Sequence, residues 1–135
     1  MFYSYAITVP AGTTEAAPVV TRLKLTAGII HQVDVEFRSG TDFAVGVRIN
    51  QGLHQVYPTN PDGEFRADGR PIIFPDYLKL ETGKDELTVY CYAPTAAYDH
   101  DIYIKIGILA EDELRPMTTT DTLLIKFLRL VGIVK

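Results

Sequence analysis

From Asp101 to Leu109, isoleucine falls on every second residue: Ile102, Ile104, Ile106 and Ile108 alternate with Asp101, Tyr103, Lys105 and Gly107. Successive side chains of a strand point to opposite faces, so this spacing gathers four β-branched residues on one side of a sheet. A helix would scatter them around its circumference. The stretch 99–109 is therefore expected to be a strand with one buried face, and it needs a second layer to complete its core.

The rest of the chain up to residue 110 repeats that period in shorter pieces. Phe2–Val9 places Tyr3, Tyr5, Ile7 and Val9 on the expected core side and Phe2, Ser4, Ala6 and Thr8 on the other. After a turn at Pro10–Thr14, a strand is expected over Val19–Leu25, closed by Ala27-Gly28. In Ile29–Phe37 the alternation puts Ile29, His31, Val33, Val35 and Phe37 on the apolar face. Phe43, Val45, Val47 and Ile49 resume the pattern after Ser39–Asp42, and Asn50-Gln51-Gly52 turns into Leu53–Tyr57. Pro58–Pro71, rich in proline, glycine and charge, reads as a long loop. Short strands follow at Ile72–Phe74 and Tyr77–Leu80, broken at Pro75-Asp76, and then Leu87, Val89 and Cys91 alternate with Thr88, Tyr90 and Tyr92. About eight strands with turn signals between them, and no helix before residue 110, fit an all-β sandwich or barrel. The expectation is an antiparallel β-sandwich, jelly-roll-like, although strand count does not separate that from another Greek-key sandwich.

Beyond Ala110 the pattern changes. Residues 111–121 form a charged linker ending in Thr118-Thr119-Thr120-Asp121, whose oxygens suit a helix N-cap. In 122–135, Leu123, Leu124, Phe127, Leu128 and Val131 share a broad apolar side of a short helix. A strand competes for the same segment, because Leu123, Ile125 and Phe127 also alternate. The expected organisation is a sandwich over 1–110, a linker over 111–121 and an apolar C-terminal arm over 122–135. The arm needs covering, by its own body, by a neighbouring subunit or by a membrane surface facing Lys126, Arg129 and Lys135.

Composition narrows the function. A net charge of -4 opposes general nucleic-acid binding, which needs a basic face. No uncharged run approaches the ~20 residues of a membrane span, and the N-terminus lacks the pattern of a secretory signal. The single cysteine, Cys91, excludes an internal disulfide framework and sits among alternating apolar residues as a small buried hydrophobe.

Candidate chemistry is sparse. Asn60, Asp62, Glu64 and Asp68 echo a calcium loop, but Pro71 stands where the closing bidentate acid belongs. Asp99, His100 and Asp101 are adjacent, and in a strand His100 faces away from both acids. His31 reads as a packed core histidine, and His54 borders the long loop where a partner can reach it. No nucleophile elbow, phosphate-cradling glycine motif or paired-histidine motif is present, so no catalytic residue, metal or cofactor is assigned. Eight tyrosines permit glycan stacking through Tyr90, Tyr92 and Tyr103, although tryptophan is absent. Tyrosine serves protein interfaces equally well.

The run His54-Gln55-Val56-Tyr57-Pro58-Thr59-Asn60-Pro61-Asp62-Gly63-Glu64-Phe65, followed by Asp68-Gly69 and Ile72, resembles a group of small phage-encoded and metagenomic virion-associated β-sandwich proteins. The opening Tyr3–Ala11 and the late Tyr98–Ile102 fit the same pattern, so the likeness spans roughly residues 1 to 109. The chain departs from it beyond Ala110. The resemblance implies a non-enzymatic structural protein, a decoration or minor capsid component, made in the host cytoplasm and carried on the virion. Its expected partners are copies of itself, with a trimer the favoured size, and a major capsid or other virion protein. Contacts are expected at Leu123, Leu124, Phe127, Leu128 and Val131, with Tyr57 and Phe65 as a second surface. The alternative is a glycan-binding module of a tail or fibre.

Overall fold

The computed structural model describes residues 1–110 as eight antiparallel strands. They are β1 (Phe2–Val9), β2 (Val19–Lys24), β3 (Gly28–Phe37), β4 (Gly46–Gln51), β5 (His54–Tyr57), β6 (Pro71–Leu80), β7 (Glu86–Tyr92) and β8 (His100–Ala110). The linker 111–121 and the arm 122–135 lie outside the described residues.

Two four-stranded sheets form, one in the order β1-β8-β3-β6 and the other β2-β7-β4-β5. First pairs with eighth, second with seventh, third with sixth and fourth with fifth. That is one long hairpin of eight strands rolled over on itself, the jelly roll among β-sandwiches.

The isoleucine strand is central. β8 lies between β1 and β3, and Ile102, Ile104, Ile106 and Ile108 are fully buried. Val33, Val35 and Phe37 face them from the same sheet, and Leu23, Val47, Ile49, Leu87, Val89 and Cys91 from the other. Each of these is an inward position of an alternating strand. In apolar surroundings the Cys91 thiol is pushed up to about 12 by burial, which holds it protonated and inert.

Three expectations fail on local geometry. In β3 the pairing slips between Ile30 and Gln32, so Ile30 enters the core while His31 swings to the outer face beside Phe2. His31 is thus not a core histidine, because a β-bulge inserts one residue and inverts the alternation before it. β6 runs unbroken through Pro75, which an edge strand tolerates since proline's missing N–H need not face a partner. Phe43 leaves the strand pattern: it follows Asp42 in a loop where both residues have positive φ, 49° and 58°, and its ring is exposed.

Candidate functional site

The antiparallel roll brings the β1–β2, β3–β4, β5–β6 and β7–β8 connections to one end. They are laced together there by backbone bonds: Gly12 N donates to Ala93 O, Phe43 N to Ala67 O, and Gly69 N to Arg38 O. The ends of β3 and β8 open between these loops into a cleft of about 510 Å³ lined by Glu36, Phe37, Arg38, Ser39, Gly69 and Tyr98–Asp101. Its carboxylates and Arg38 are tied to the scaffold. Asp101 accepts from Thr8 Oγ1 at 2.8 Å and stands 3.7 Å from Arg38, Asp99 accepts from Ala11 N at 2.9 Å, and Glu36 lies 3.9 Å from Lys105. The exposed Tyr98 ring packs against His100 at 4.9 Å between centroids.

The two outer sheet faces differ sharply. On β7, Tyr92 lies under Arg48 and Arg66, whose guanidinium carbons stand 5.3 and 5.7 Å from its ring centroid. Glu64 binds Arg66 Nε at 2.6 Å, and Arg48 pairs with Glu15. Two arginines and two glutamates thus cover Tyr92 with balanced charge, while Val20 on β2 of the same sheet stays 54% exposed. A small pocket of about 190 Å³ remains beside it, between Tyr90, Asn50, Gln55 and Pro18. The outer face of the β1-β8-β3-β6 sheet is open instead. Phe2, Ile73 and Tyr77 are 65%, 56% and 76% exposed there, and the outward Asp34 carboxyl is held above its usual range by burial first, with Lys105 opposing and Glu36 reinforcing.

The residues singled out from sequence scatter over these surfaces. Tyr90 and Tyr92 do share the outer face of β7, but Tyr92 is only 2% exposed and offers no stacking platform. Tyr103 points out from the opposite sheet, near Arg38, so the three tyrosines form no common site. Tyr57 and Phe65 turn inward rather than presenting a surface. Tyr57 donates to Asp76 across the sandwich and meets Phe74 edge-on, while Phe65 packs on Phe74 and bridges Val47. Burial, then the Asp76 contact, pushes the Tyr57 phenol far above the ordinary tyrosine range. His54 is exposed at the start of β5. Of the calcium-like loop, Glu64 is spent on Arg66, and Asp68 accepts from Gly40 N at 2.9 Å. Leu123, Leu124, Phe127, Leu128 and Val131 lie outside the described residues.

Tyr98, Arg38 and Ser39 escaped the sequence reading. Two of them belong to a loop separated from Tyr98 by some sixty positions, and only the strand order joins them.

No family profile and no curated protein matches the chain. Among solved structures it is similar to a mitogen of Yersinia pseudotuberculosis, with 12% identity over 80% of this chain and 86% of that one, TM-score 0.44. It is also similar to a CBM36-1 domain of a multidomain xylanase from the Trinervitermes trinervoides hindgut metagenome, with 17% identity over 78% and 85% of the two chains, TM-score 0.40. A third likeness is to infectious bursal disease virus, with 13% identity over 80% of this chain and 32% of that one, TM-score 0.39. Nothing about ligand or partner follows from likenesses at this level.

Proposed function

We propose that the chain is a non-enzymatic structural subunit of a phage or virus-like particle, a decoration or minor capsid protein that assembles through a sandwich face and its C-terminal segment. The observation that supports this reading is the contrast between the two outer faces. One carries an arginine–glutamate–tyrosine cluster and, among the described residues, exposes only Val20 of its large apolar side chains, while the other leaves Phe2, Ile73 and Tyr77 in water. Phe2 lies on one edge strand and Ile73 and Tyr77 on the other, so both margins of this sheet expose apolar side chains that another protein can cover. β8 ends on that same sheet at Ala110, so the apolar residues 122–131 follow a chain that leaves from its middle strand. Association through this face takes its exposed apolar side chains out of water. In this reading the protein is made in the host cytoplasm, self-associates as a trimer and docks on a major capsid or other virion protein.

The test is light scattering coupled to size exclusion on the full chain, on Leu124→Glu with Phe127→Glu, and on Phe2→Ser with Tyr77→Ser. A discrete oligomer that both pairs of changes reduce to monomer supports the reading. A monomeric unsubstituted chain counts against self-assembly.

A further inference from the structure

We infer that the cleft at the loop end binds a neutral sugar, with the Tyr98 ring as stacking surface and His100, Arg38 and Asp99 as hydrogen-bonding groups. This site is independent of the sheet face through which the subunit is proposed to assemble. Its volume of about 510 Å³ falls in the range of roughly 300–1,000 Å³ typical of small-ligand sites.

His100 points to a ligand most directly. The residue is 9% exposed, lines the cleft, and its imidazole makes no hydrogen bond among the described residues. Its ring nitrogens keep access to the cleft, so a ligand hydroxyl reaches them without first breaking a protein hydrogen bond. Neutral imidazole offers a donor on one nitrogen and an acceptor on the other, which matches a hydroxyl that both accepts and donates. Asp99 uses one oxygen on Ala11 N and keeps the second for a ligand.

Tyr98 supplies the apolar contact. Its ring is 60% exposed, yet it is held by packing on His100 and by its hydroxyl, which donates to Gly40 O at 3.4 Å. Gly40 is pinned in turn through its N–H to Asp68. Thr41 Oγ1 donates to Arg38 O at 2.6 Å from the same loop. An aromatic face fixed before binding costs little ordering, and it suits the C–H face of a pyranose.

Charge selects neutral ligands. Glu36, Asp99 and Asp101 face the cleft against the single guanidinium of Arg38, so a phosphate or carboxylate ligand meets a net negative wall. Arg38 and Asp101 answer each other, as do Lys105 and Glu36, which leaves Asp99 as the unbalanced charge of the lining, with one oxygen held by Ala11 N.

The experiment titrates the isotope-labelled full chain, followed by backbone amide shifts, with methyl glucoside, methyl galactoside and methyl mannoside, beside glucuronate and glucosamine. One or more neutral glycosides are expected to move the amides of residues 38–40 and 98–101 at roughly millimolar concentration. Tyr98→Ala is expected to weaken that binding about tenfold and His100→Gln about fivefold, with Tyr90→Ala leaving it unchanged. The proposal is overturned by silence toward every neutral glycoside at about 50 mM. Shifts that map to Tyr90, or a response confined to glucuronate or glucosamine, overturn it equally. Should a substituted chain fail to fold, the shift map of the unsubstituted chain decides among these outcomes.

Discussion

Tyr92 of β7 lies flat across Gly46, the residue paired with it on β4. A methyl group at position 46 would stand 2.7 Å from the ring's Cζ and 2.9 Å from its hydroxyl. The same device recurs on the other sheet, where Phe2 and His31 lie over Gly107, the register partner of Phe2. In each case a glycine lets an aromatic ring lie down on the sheet instead of standing away from it.

The two cradles differ in how far their occupants can yield. Tyr92 is trapped beneath two arginines, whereas Phe2 is largely exposed and free to rotate off. Gly46→Ala is therefore expected to cost about 1–3 kcal/mol by overpacking, and Gly107→Ala less. Urea denaturation of both variants measures this, and equal losses would refute the difference in freedom.

The hydroxyl of Tyr92 is buried and without a hydrogen-bond partner among the described residues. Tyr92→Phe deletes that unsatisfied group while keeping the ring, so stability should be unchanged or slightly higher. A loss above about 1 kcal/mol in the same denaturation assay would mean that the hydroxyl has a partner after all.

Gln55 fastens the proline-rich loop. Its Nε2 donates toward the carbonyl oxygens of Pro58, Asn60 and Gly63 at 2.8, 2.9 and 3.2 Å. Gln55→Glu swaps the donor for a carboxylate facing three acceptors, and is expected to cost more than Gln55→Ala, which loses about 1–3 kcal/mol. Hydrogen exchange should quicken first at the Gly63 amide, which donates to Asn60 O within the loop. Protection that persists there in both variants would sink this account.

Alkaline pH should weaken the fold, beginning at Cys91. Its folded value is raised from 9.0 to about 12 by burial, so the unfolded chain loses the thiol proton first. The stabilisation is complete below about pH 9 and disappears as pH rises through about 12, with a slope of roughly 1.4 kcal/mol per pH unit inside that window. Tyr57, raised the same way, extends the loss at higher pH. Melting temperatures of the wild type and of Cys91→Val across pH 8 to 11 isolate the thiol; parallel curves for the two proteins would exclude it as the cause.

Asp34 follows the same sign at a surface carboxyl, at lower pH. Its value is raised chiefly by burial, so ionisation disfavours the folded state as pH climbs past the ordinary 3.8. Asp34→Asn should then be as stable as the wild type or more so at neutral pH, with the difference closing in acid. Thermal melts at pH 7 and pH 3 check the sign.

Much of the fold was legible in the chain itself. Alternation in Phe2–Val9 and in the isoleucine strand identified the inward residues, because pleating ties every second side chain to one face whatever the strand's neighbours are. Strand number and turn spacing pointed to an all-β sandwich and only suggested a jelly roll; the pairing of first with eighth strand and second with seventh decided it against another Greek-key arrangement. What alternation does not encode is where it is interrupted. The bulge at His31 sent that residue outward, and Pro75 did not end β6, since both outcomes depend on which strands lie alongside. The same dependence governs function. Tyr90 and Tyr92 were correctly paired on one strand face, but Tyr92's burial came from Gly46, Arg48 and Arg66, contributed by β4 and by a loop. Local sequence thus determined the strands and their inward faces through backbone geometry. The cleft of Arg38, Tyr98 and His100 was decided only when the roll brought the end of β3 beside the start of β8, a long-range closure that no local pattern records.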